Sequence, residues 1–127
     1  MKILICGSRS WKSRYEIESK ILESKNNAKD KNEELVVVHG NASGADKIAE
    51  SICNNLKIVT IKTIPDWKKY KKSAGFIRNC EILKQNPDIS TVYAFRMQGV
   101  SNGTDHMIKC CLKKNIKTVV ISLQKDL

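Results

Sequence analysis

Three short stretches of this sequence combine glycine with side chains that can hold a phosphate group. They are Gly7-Ser8-Arg9, the stretch from His39 to Asp46, and Gly103-Thr104. Glycine lets the backbone approach a ligand closely, and the free amides at a helix N-terminus attract anions. The stretches therefore predict a phosphate-bearing ligand. Ser43 followed three residues later by Asp46 also fits a capping box, which any helix start can use.

Two carboxylates and two histidines are further candidates for chemistry. Asp46 and Asp105 fall early in predicted helices, where a carboxylate can simply complement the helix dipole. In the functional interpretation, one of them binds a ribose hydroxyl or stabilises an oxocarbenium-like centre and orients water. His39 and His106 lie at a strand end and in a first helical turn, where packing or capping is the more common role.

Aromatic residues near basic residues offer surfaces on which a nucleotide base can stack. For Phe76 and Trp67, packing in the core is the favoured interpretation. No cofactor is predicted, because the stretch 39–46 has neither the dinucleotide fingerprint nor the lysine of a P-loop. No metal site is predicted either, because the chain has two histidines, no paired cysteine spacing and no acidic cluster. The candidate stacking residues are Trp11, Trp67, Tyr70 and Phe76.

The composition describes one soluble domain spanning residues 1–127, with a net charge of +10. This charge predicts attraction to polyanions or to phosphorylated small molecules, although the lysines are spread as on solvated helix faces. No apolar run reaches the length of a membrane span, and the N-terminus lacks a signal-peptide pattern. A cytoplasmic protein with reduced cysteines and no membrane partner is therefore expected.

Apolar runs alternate with helical patterns along the whole chain, which predicts a parallel sheet covered on both faces. The first helix is expected over 13–25, with Ile17, Ile21 and Leu22 inward, and the second from 45 to about 54. The third follows the basic aromatic segment 66–79 and has Phe76, Cys80 and Leu83 inward. The fourth begins at about 103 and has Ile108, Cys111 and Leu112 inward. A polar, mobile connection is expected over 26–34. The strands are predicted over 3–6, 35–38, 58–64, 91–95 and 118–122.

A strand order of 3-2-1-4-5 would bring the glycine stretches together. Ligands of open parallel sheets bind beyond the carboxyl ends of the strands, near the point where the strand order reverses. Gly7 follows the first strand, Gly40 and Gly44 follow the second, and Gly103 follows the fourth. Three separate stretches thus predict one shared cleft.

In their order along the chain, these segments resemble the YspA/YpsA-related branch of the SLOG superfamily. The resemblance covers Gly7-Ser8-Arg9, the loop 40–46, the segment 66–79, and Gly103-Thr104 after Ala94-Phe95. SLOG proteins are Rossmann-like nucleotide binders. They include the Lonely-guy phosphoribohydrolases, which cut the N-glycosidic bond of cytokinin ribotides, and the DprA/Smf proteins, which hold single-stranded DNA. The resemblance implies a three-layer Rossmann-like fold, and it is compatible with a homo-oligomer.

The resemblance also suggests individual roles. Arg78 looks like the arginine that Lonely-guy enzymes place against their substrate, and Gly103-Thr104 looks like the glycine-threonine pair of their phosphate loop. Asp46 is favoured over Asp105 as the functional carboxylate. Those enzymes carry a glutamate three residues after the threonine, where this chain has Met107. The candidate ligand-binding residues are Gly7, Ser8, Arg9, Gly40, Ser43, Gly44, Asp46, Arg78, Asn79, Gly103 and Thr104, with Asp46 and Arg78 as the catalytic candidates.

Three functions follow from these observations. The leading hypothesis is a sensor or processing module that binds a nucleotide or a nucleotide-derived phosphorylated ligand. The alternative is an N-glycosidic hydrolase of nucleoside 5′-monophosphates, in which Asp46 or Asp105 replaces the glutamate. A third hypothesis is a module of the DprA type that binds single-stranded DNA through its positive charge and the lysine-aromatic segment.

Overall fold

The central feature of the computed structural model, which describes residues 1–123, is a five-stranded parallel sheet. The strand order is β3-β2-β1-β4-β5, as predicted. The strands are β1 (Lys2–Gly7), β2 (Val36–His39), β3 (Val59–Lys62), β4 (Ile89–Met97) and β5 (Lys117–Leu123). The helices are α1 (Arg14–Asp30), α2 (Ala45–Leu56), α3 (Trp67–Tyr70), α4 (Ala74–Gln85) and α5 (Asn102–Lys113), with a 3₁₀ turn at Lys71–Ser73 between α3 and α4.

Helices cover both faces of the sheet because the central strand β1 is apolar on both sides. Successive strand residues point to opposite faces. Ile3 and Ile5 belong to the core beneath α1 and α2, whereas Leu4 and Cys6 belong to the core beneath α4 and α5. The predicted three-layer Rossmann-like α/β fold is therefore confirmed. Among residues 1–123, no helix has both the length and the apolar character needed to cross a bilayer.

Helix α1 extends further than its apolar pattern suggested. The sequence predicts an end near residue 25 and a mobile connection over 26–34, but the helix continues to Asp30. Ala28 is buried, and with Ile17, Ile21 and Ser24 it completes an inward stripe at helical spacing. Leu22 lies beside this stripe and is exposed, so its predicted inward position is wrong.

The predicted inward faces of the last two helices also need correction. On α4, Phe76 and Cys80 are exposed, and the buried face instead carries Arg78 and Asn79 together with apolar residues. On α5, Leu112 is exposed and Met107 is buried in its place. Tertiary packing rotates both helices away from the faces that their most apolar residues define. The buried face of α4 is formed by Ala74, Arg78, Asn79, Ile82 and Leu83.

Candidate functional site

A cavity of about 380 Å³ opens at the carboxyl ends of β1 and β2, beside the starts of α4 and α5. Cavities of a few hundred Å³ are the usual size of small-molecule sites. The three predicted stretches all contribute to its walls, together with the segment around α3. Of the predicted ligand-binding residues, those that line it are Gly7, Ser8, Arg9, Gly40, Asp46, Arg78, Asn79, Gly103 and Thr104.

Ser43 and Gly44 lie outside this cavity. Ser43 is exposed and borders an adjoining cavity of about 260 Å³, which shares Arg9 and Arg78 with the first. Gly44 is the N-cap of α2, with φ of +78°. A Cβ atom there would collide with the carbonyl oxygen of Ser8 and lie 2.6 Å from that of Arg9. Gly44 therefore allows the first two loops to pack against each other.

Asp46 is a buried carboxylate that the loop before α2 surrounds with backbone amides. Its Oδ2 accepts hydrogen bonds from the amides of Gly40 and Ala42, both at 3.1 Å. Its Oδ1 is also buried but has no hydrogen-bond partner in the described structure. Burial raises the pKa of Asp46 to about 6, because desolvation outweighs the amide hydrogen bonds and the Arg78 charge. The cavity wall thus contains a carboxyl group that changes charge near neutral pH.

These amide bonds alter the expected role of the loop 40–46. Two amides of this loop, those of Gly40 and Ala42, already bind Asp46 and are not available to a phosphate. The capping box is also not formed, since Gly44 rather than Ser43 is the N-cap and no side chain caps the helix. The loop therefore holds a carboxylate in place.

Arg78 reaches the same loop from the buried face of α4. Its Nη1 donates to the carbonyl of Gly40 at 2.6 Å, and its Nε donates to Oδ1 of Asn79 at 3.1 Å. A Cβ atom at residue 40 would lie 2.5 Å from Cδ of Arg78, so glycine is needed for this approach. Burial lowers the pKa of Arg78, yet an arginine remains charged at neutral pH. Arg78 therefore places a fixed positive charge in the cavity wall.

The N-terminal turn of α5 forms the opposite wall. Asn79 joins it to α4, because its Nδ2 donates to the carbonyl of Gly103 at 3.1 Å. Ser8 joins it to the first loop through a hydrogen bond of 2.9 Å to the Ser101 hydroxyl. Thr104 is buried, and at residue 103 a Cβ atom would meet nothing within 4 Å. This turn thus lines the cavity at a helix N-terminus, where an anion would be favoured.

The sequence suggested the wrong positions, core or cavity, for several aromatic side chains. Trp67 and Phe76, for which core packing was favoured, are 47% and 41% exposed and line the cavity. Trp11 is instead buried in the core, with its ring 5.4 Å from Phe95 in an edge-to-face arrangement. The guanidinium of Arg9 lies over the Trp67 ring at 5.6 Å. Two aromatic rings are therefore available at the cavity, whereas Tyr70 does not line it.

Asp105 and His39, two other candidates for chemistry, do not line the cavity. Asp105 forms a bidentate ion pair with Arg96, at 2.6 and 3.0 Å, which holds the pKa of that carboxyl below its usual range. His39 is fully buried with a pKa lowered by burial to about 4, and its Nδ1 accepts from the Asn41 amide. It is therefore neutral and shapes the loop. Met107 lines the cavity as an apolar side chain that cannot transfer protons.

Several cavity residues were not among the predicted ligand-binding residues. Lys72, Trp67 and Phe76 belong to the basic aromatic segment, whose composition did draw attention to it. Ser101 follows no local rule and reaches the cavity only because α5 begins there. Nothing in the spacing of the residues indicated that Cys80, on α4, would lie beside His106 on α5.

Comparison with known proteins identifies a family and a relative of this chain. A family model described as the YspA, cpYpsA-related SLOG family matches residues 1–70. The chain is 30% identical over 123 residues to the Gene 61 protein of Mycobacterium phage D29, across 93% of this chain and 94% of that protein. The family match includes β1, β2 and the loops that follow them, and it ends before Arg78.

Proposed function

Because the chain belongs to the YspA, cpYpsA-related SLOG family, we propose that it binds a nucleotide or a nucleotide-derived phosphorylated ligand in the main cavity. Membership of this family suggests a nucleotide-related binding or processing role. One observation supports the proposal above all. Arg78, Asp46 and the N-terminal turn of α5 line one cavity at the carboxyl ends of the strands.

Each part of a nucleotide has a complementary wall in this proposal. The phosphate lies against the N-terminal turn of α5, and the positive charge of Arg78 attracts it. A helix N-terminus adds about 0.3 to 1 kcal/mol through its dipole, with the amide hydrogen bonds in addition. The base stacks on Trp67 or Phe76 at the cavity mouth. A ribose hydroxyl then donates to the unpartnered Oδ1 of Asp46.

The test is a thermal-shift screen followed by calorimetric titration of the best ligand. The probes are nucleoside mono-, di- and triphosphates, ADP-ribose, cyclic nucleotides, unphosphorylated nucleosides and short single-stranded DNA, each at two salt concentrations. A ligand that binds only the folded state must raise the melting temperature. We expect one small phosphorylated nucleotide to do so at both salt concentrations, and its unphosphorylated nucleoside to have less effect.

The Gly103→Asp and Gly103→Asn variants form a matched pair for the phosphate wall. Both side chains have room, because a Cβ atom there meets nothing within 4 Å. The aspartate adds a negative charge beside the expected phosphate, so affinity should fall by about tenfold more than in the asparagine variant. Equal affinities in the two variants would contradict this placement. Stabilisation by DNA alone, and only at low salt, would overturn the nucleotide proposal in favour of surface charge.

The state of Asp46 favours a second candidate function, hydrolysis of the N-glycosidic bond in a nucleoside 5′-monophosphate. Its free Oδ1 can accept the proton that water loses as water attacks C1′ of the ribose. The C1′–N bond breaks as the C1′–O bond forms, and the departing base receives that proton. The products are the free base and ribose 5-phosphate. In this mechanism Asp46 acts where Lonely-guy enzymes use the glutamate that Met107 replaces.

Release of free base from each nucleoside monophosphate, measured by liquid chromatography, tests this candidate. Asp46→Asn should reduce the release by at least about 100-fold, whereas Asp105→Asn, which alters a carboxyl group outside the cavity, should retain it. Because Asp46 must be ionised, kcat/KM should rise with pH and level off above about 6. Absence of base release from every substrate would overturn hydrolysis and leave the binding proposal to its own test.

A further inference from the structure

Two thiols and an imidazole meet on the outer side of α4 and α5. Cys80 projects from α4, and His106 and Cys110 lie one turn apart on α5. Their ligand atoms all lie within 4.8 Å of one another, and Sγ of Cys110 is 3.6 Å from Nε2 of His106. Cys80 is exposed and the other two side chains are partly buried. This cluster does not line the cavity, and the proposed function does not use it.

The spacing of these atoms matches a tetrahedral metal site. With Zn–S near 2.3 Å and Zn–N near 2.0 Å, tetrahedral angles place sulfur and nitrogen about 3.5 Å apart. The separation between Cys110 Sγ and His106 Nε2, 3.6 Å, is close to this distance. Two sulfur ligands would lie about 3.8 Å apart, a distance that the exposed Cys80 side chain can reach by a small rotation. The helix packing therefore already holds the three donors near bonding geometry.

We propose that Cys80, His106 and Cys110 bind a thiolate-preferring cation of the Zn²⁺ class. Thiolate and imidazole donors favour Zn²⁺ over the hard cations Mg²⁺ and Ca²⁺. In the described part of the chain, no fourth histidine, cysteine or acidic side chain joins the group. Three protein ligands leave one tetrahedral position for water, on the side where Cys80 meets solvent.

Asn79 connects this cluster to the cavity. Its Nδ2 lies 3.2 Å from Nδ1 of His106, while its Oδ1 accepts from Nε of Arg78. A metal ion on Nε2 requires the imidazole proton to be on Nδ1, which then needs an acceptor. The Asn79 amide must therefore turn so that its oxygen accepts that proton. Asn79 is thus a positioning residue for the metal site, and its rotation removes an acceptor from Arg78 and a donor from the Gly103 carbonyl.

Titration with Co²⁺ under argon, in the presence of a phosphine reductant, tests the site. Thiolate ligation gives cobalt charge-transfer absorption, and tetrahedral Co²⁺ gives characteristic visible bands. We expect one equivalent to bind with both signatures, and Zn²⁺ to displace it. Binding should also raise the melting temperature of the protein. Binding without thiolate absorption, or no binding at all, would overturn the proposal.

Single substitutions identify the ligands. Cys80→Ser, Cys110→Ser and His106→Ala should each weaken Co²⁺ binding by at least about tenfold. Cys80 is exposed, so the effect of Cys80→Ser does not depend on a change in the core. The matched control is Cys111→Ala, which removes the buried thiol beside Cys110 and should leave binding unchanged. An unchanged cobalt spectrum in both serine variants would overturn the assignment.

Two further measurements distinguish a metal site from a disulfide and from side chains that only pack together. In Asn79→Asp, a carboxylate accepts from the Nδ1 proton without turning over, so the affinity should rise by about tenfold. Unchanged or weaker affinity would overturn the positioning role of Asn79. Mass spectrometry of the reduced protein should find all five thiols free. A Cys80–Cys110 disulfide that survives the reductant would overturn the metal proposal.

Discussion

Two helix starts in this protein share a local sequence pattern and differ in what their aspartates do. Gly44-Ala45-Asp46 opens α2 and Gly103-Thr104-Asp105 opens α5, and each follows a strand of the same sheet. Asp46 is buried against backbone amides, and burial raises its pKa to about 6. Asp105 pairs with Arg96 nearer the surface, and that pairing lowers its pKa. The same pattern, a glycine followed two residues later by an aspartate, thus yields one carboxyl group with a raised pKa and one with a lowered pKa.

Gly44 and Gly103 also differ in how closely the neighbouring segments surround them. Gly44 adopts a positive φ and lies tightly against the first loop, whereas Gly103 is inside the helix with open space around it. The start of α2 is packed by neighbouring backbone, and the start of α5 faces a cavity. The comparison shows that a glycine-bearing helix start can either support a site or form its wall. The surrounding tertiary structure decides between these roles.

The largest difference in the free energy of unfolding should separate Gly44→Ala from Gly103→Ala. Gly44→Ala combines a φ of +78° with collisions against the first loop, and should lower the free energy of unfolding by about 3 kcal/mol. Gly103→Ala should be neutral or stabilising by about 0.5 kcal/mol, because it favours the helix. Urea unfolding of both variants measures the difference. Similar losses in both would refute the distinction between the two helix starts.

The next largest effect is the pH dependence that Asp46 contributes to stability. Its pKa of about 6 in the folded state exceeds the usual value of 3.8, so its contribution is present below about pH 4 and is lost as the pH rises to about 6. Asp46→Asn keeps an oxygen acceptor for the two amides and cannot ionise. The variant should therefore gain about 2 kcal/mol relative to the parent between pH 4 and pH 7.

Unfolding experiments in urea at several pH values measure this gain. The free energy of unfolding of the Asp46→Asn variant, minus that of the parent, should be lowest at acidic pH and should increase towards neutral pH. A difference that does not depend on pH would mean that Asp46 has an ordinary pKa in the folded protein. That result would also remove the basis for its role as a base near neutral pH.

The arginines beside the two aspartates provide a third comparison. Arg78→Ala leaves the Gly40 carbonyl and the Asn79 amide oxygen without their donor in a buried environment, at a cost of about 2 kcal/mol. Arg96→Ala removes a pairing at the surface, and its effect should be small. Thermal unfolding of the two variants measures the ranking. A larger loss for Arg96→Ala would reverse the proposed order of importance.

The smallest effect should come from Asp105→Asn. The lowered pKa means that Asp105 stabilises the fold above its ordinary pKa and loses that contribution as the pH falls. Its side chain is 47% exposed, so solvent screening limits the contribution to less than about 1 kcal/mol. The variant should be slightly less stable than the parent at pH 7, and this difference should shrink as the pH falls below 3.8. A pH dependence with the sign seen for Asp46 would contradict the comparison.

Much of the candidate site could be predicted from the sequence because parallel sheets place the ends of their strands at one edge. Nine of the predicted residues line the cavity for this reason, including Gly7, Arg78 and Thr104. Ser43 and Gly44 fell outside because local spacing does not tell which side of a loop faces a ligand. Trp67 and Trp11 were misplaced because both core packing and base stacking use aromatic rings.

The sequence by itself determined the alternation of strands and helices, the strand order and the edge of the sheet where loops converge. Periodicity suffices for the alternation, because buried parallel strands are continuously apolar, whereas the strand order was expected from the resemblance to Rossmann-like proteins. Only the tertiary structure decided the rotation of each helix about its axis. That rotation buries Arg78 instead of Phe76, separates Asp46 from Asp105, and brings Cys80 beside Cys110. These outcomes depend on packing between distant segments, which spacing along one chain does not contain.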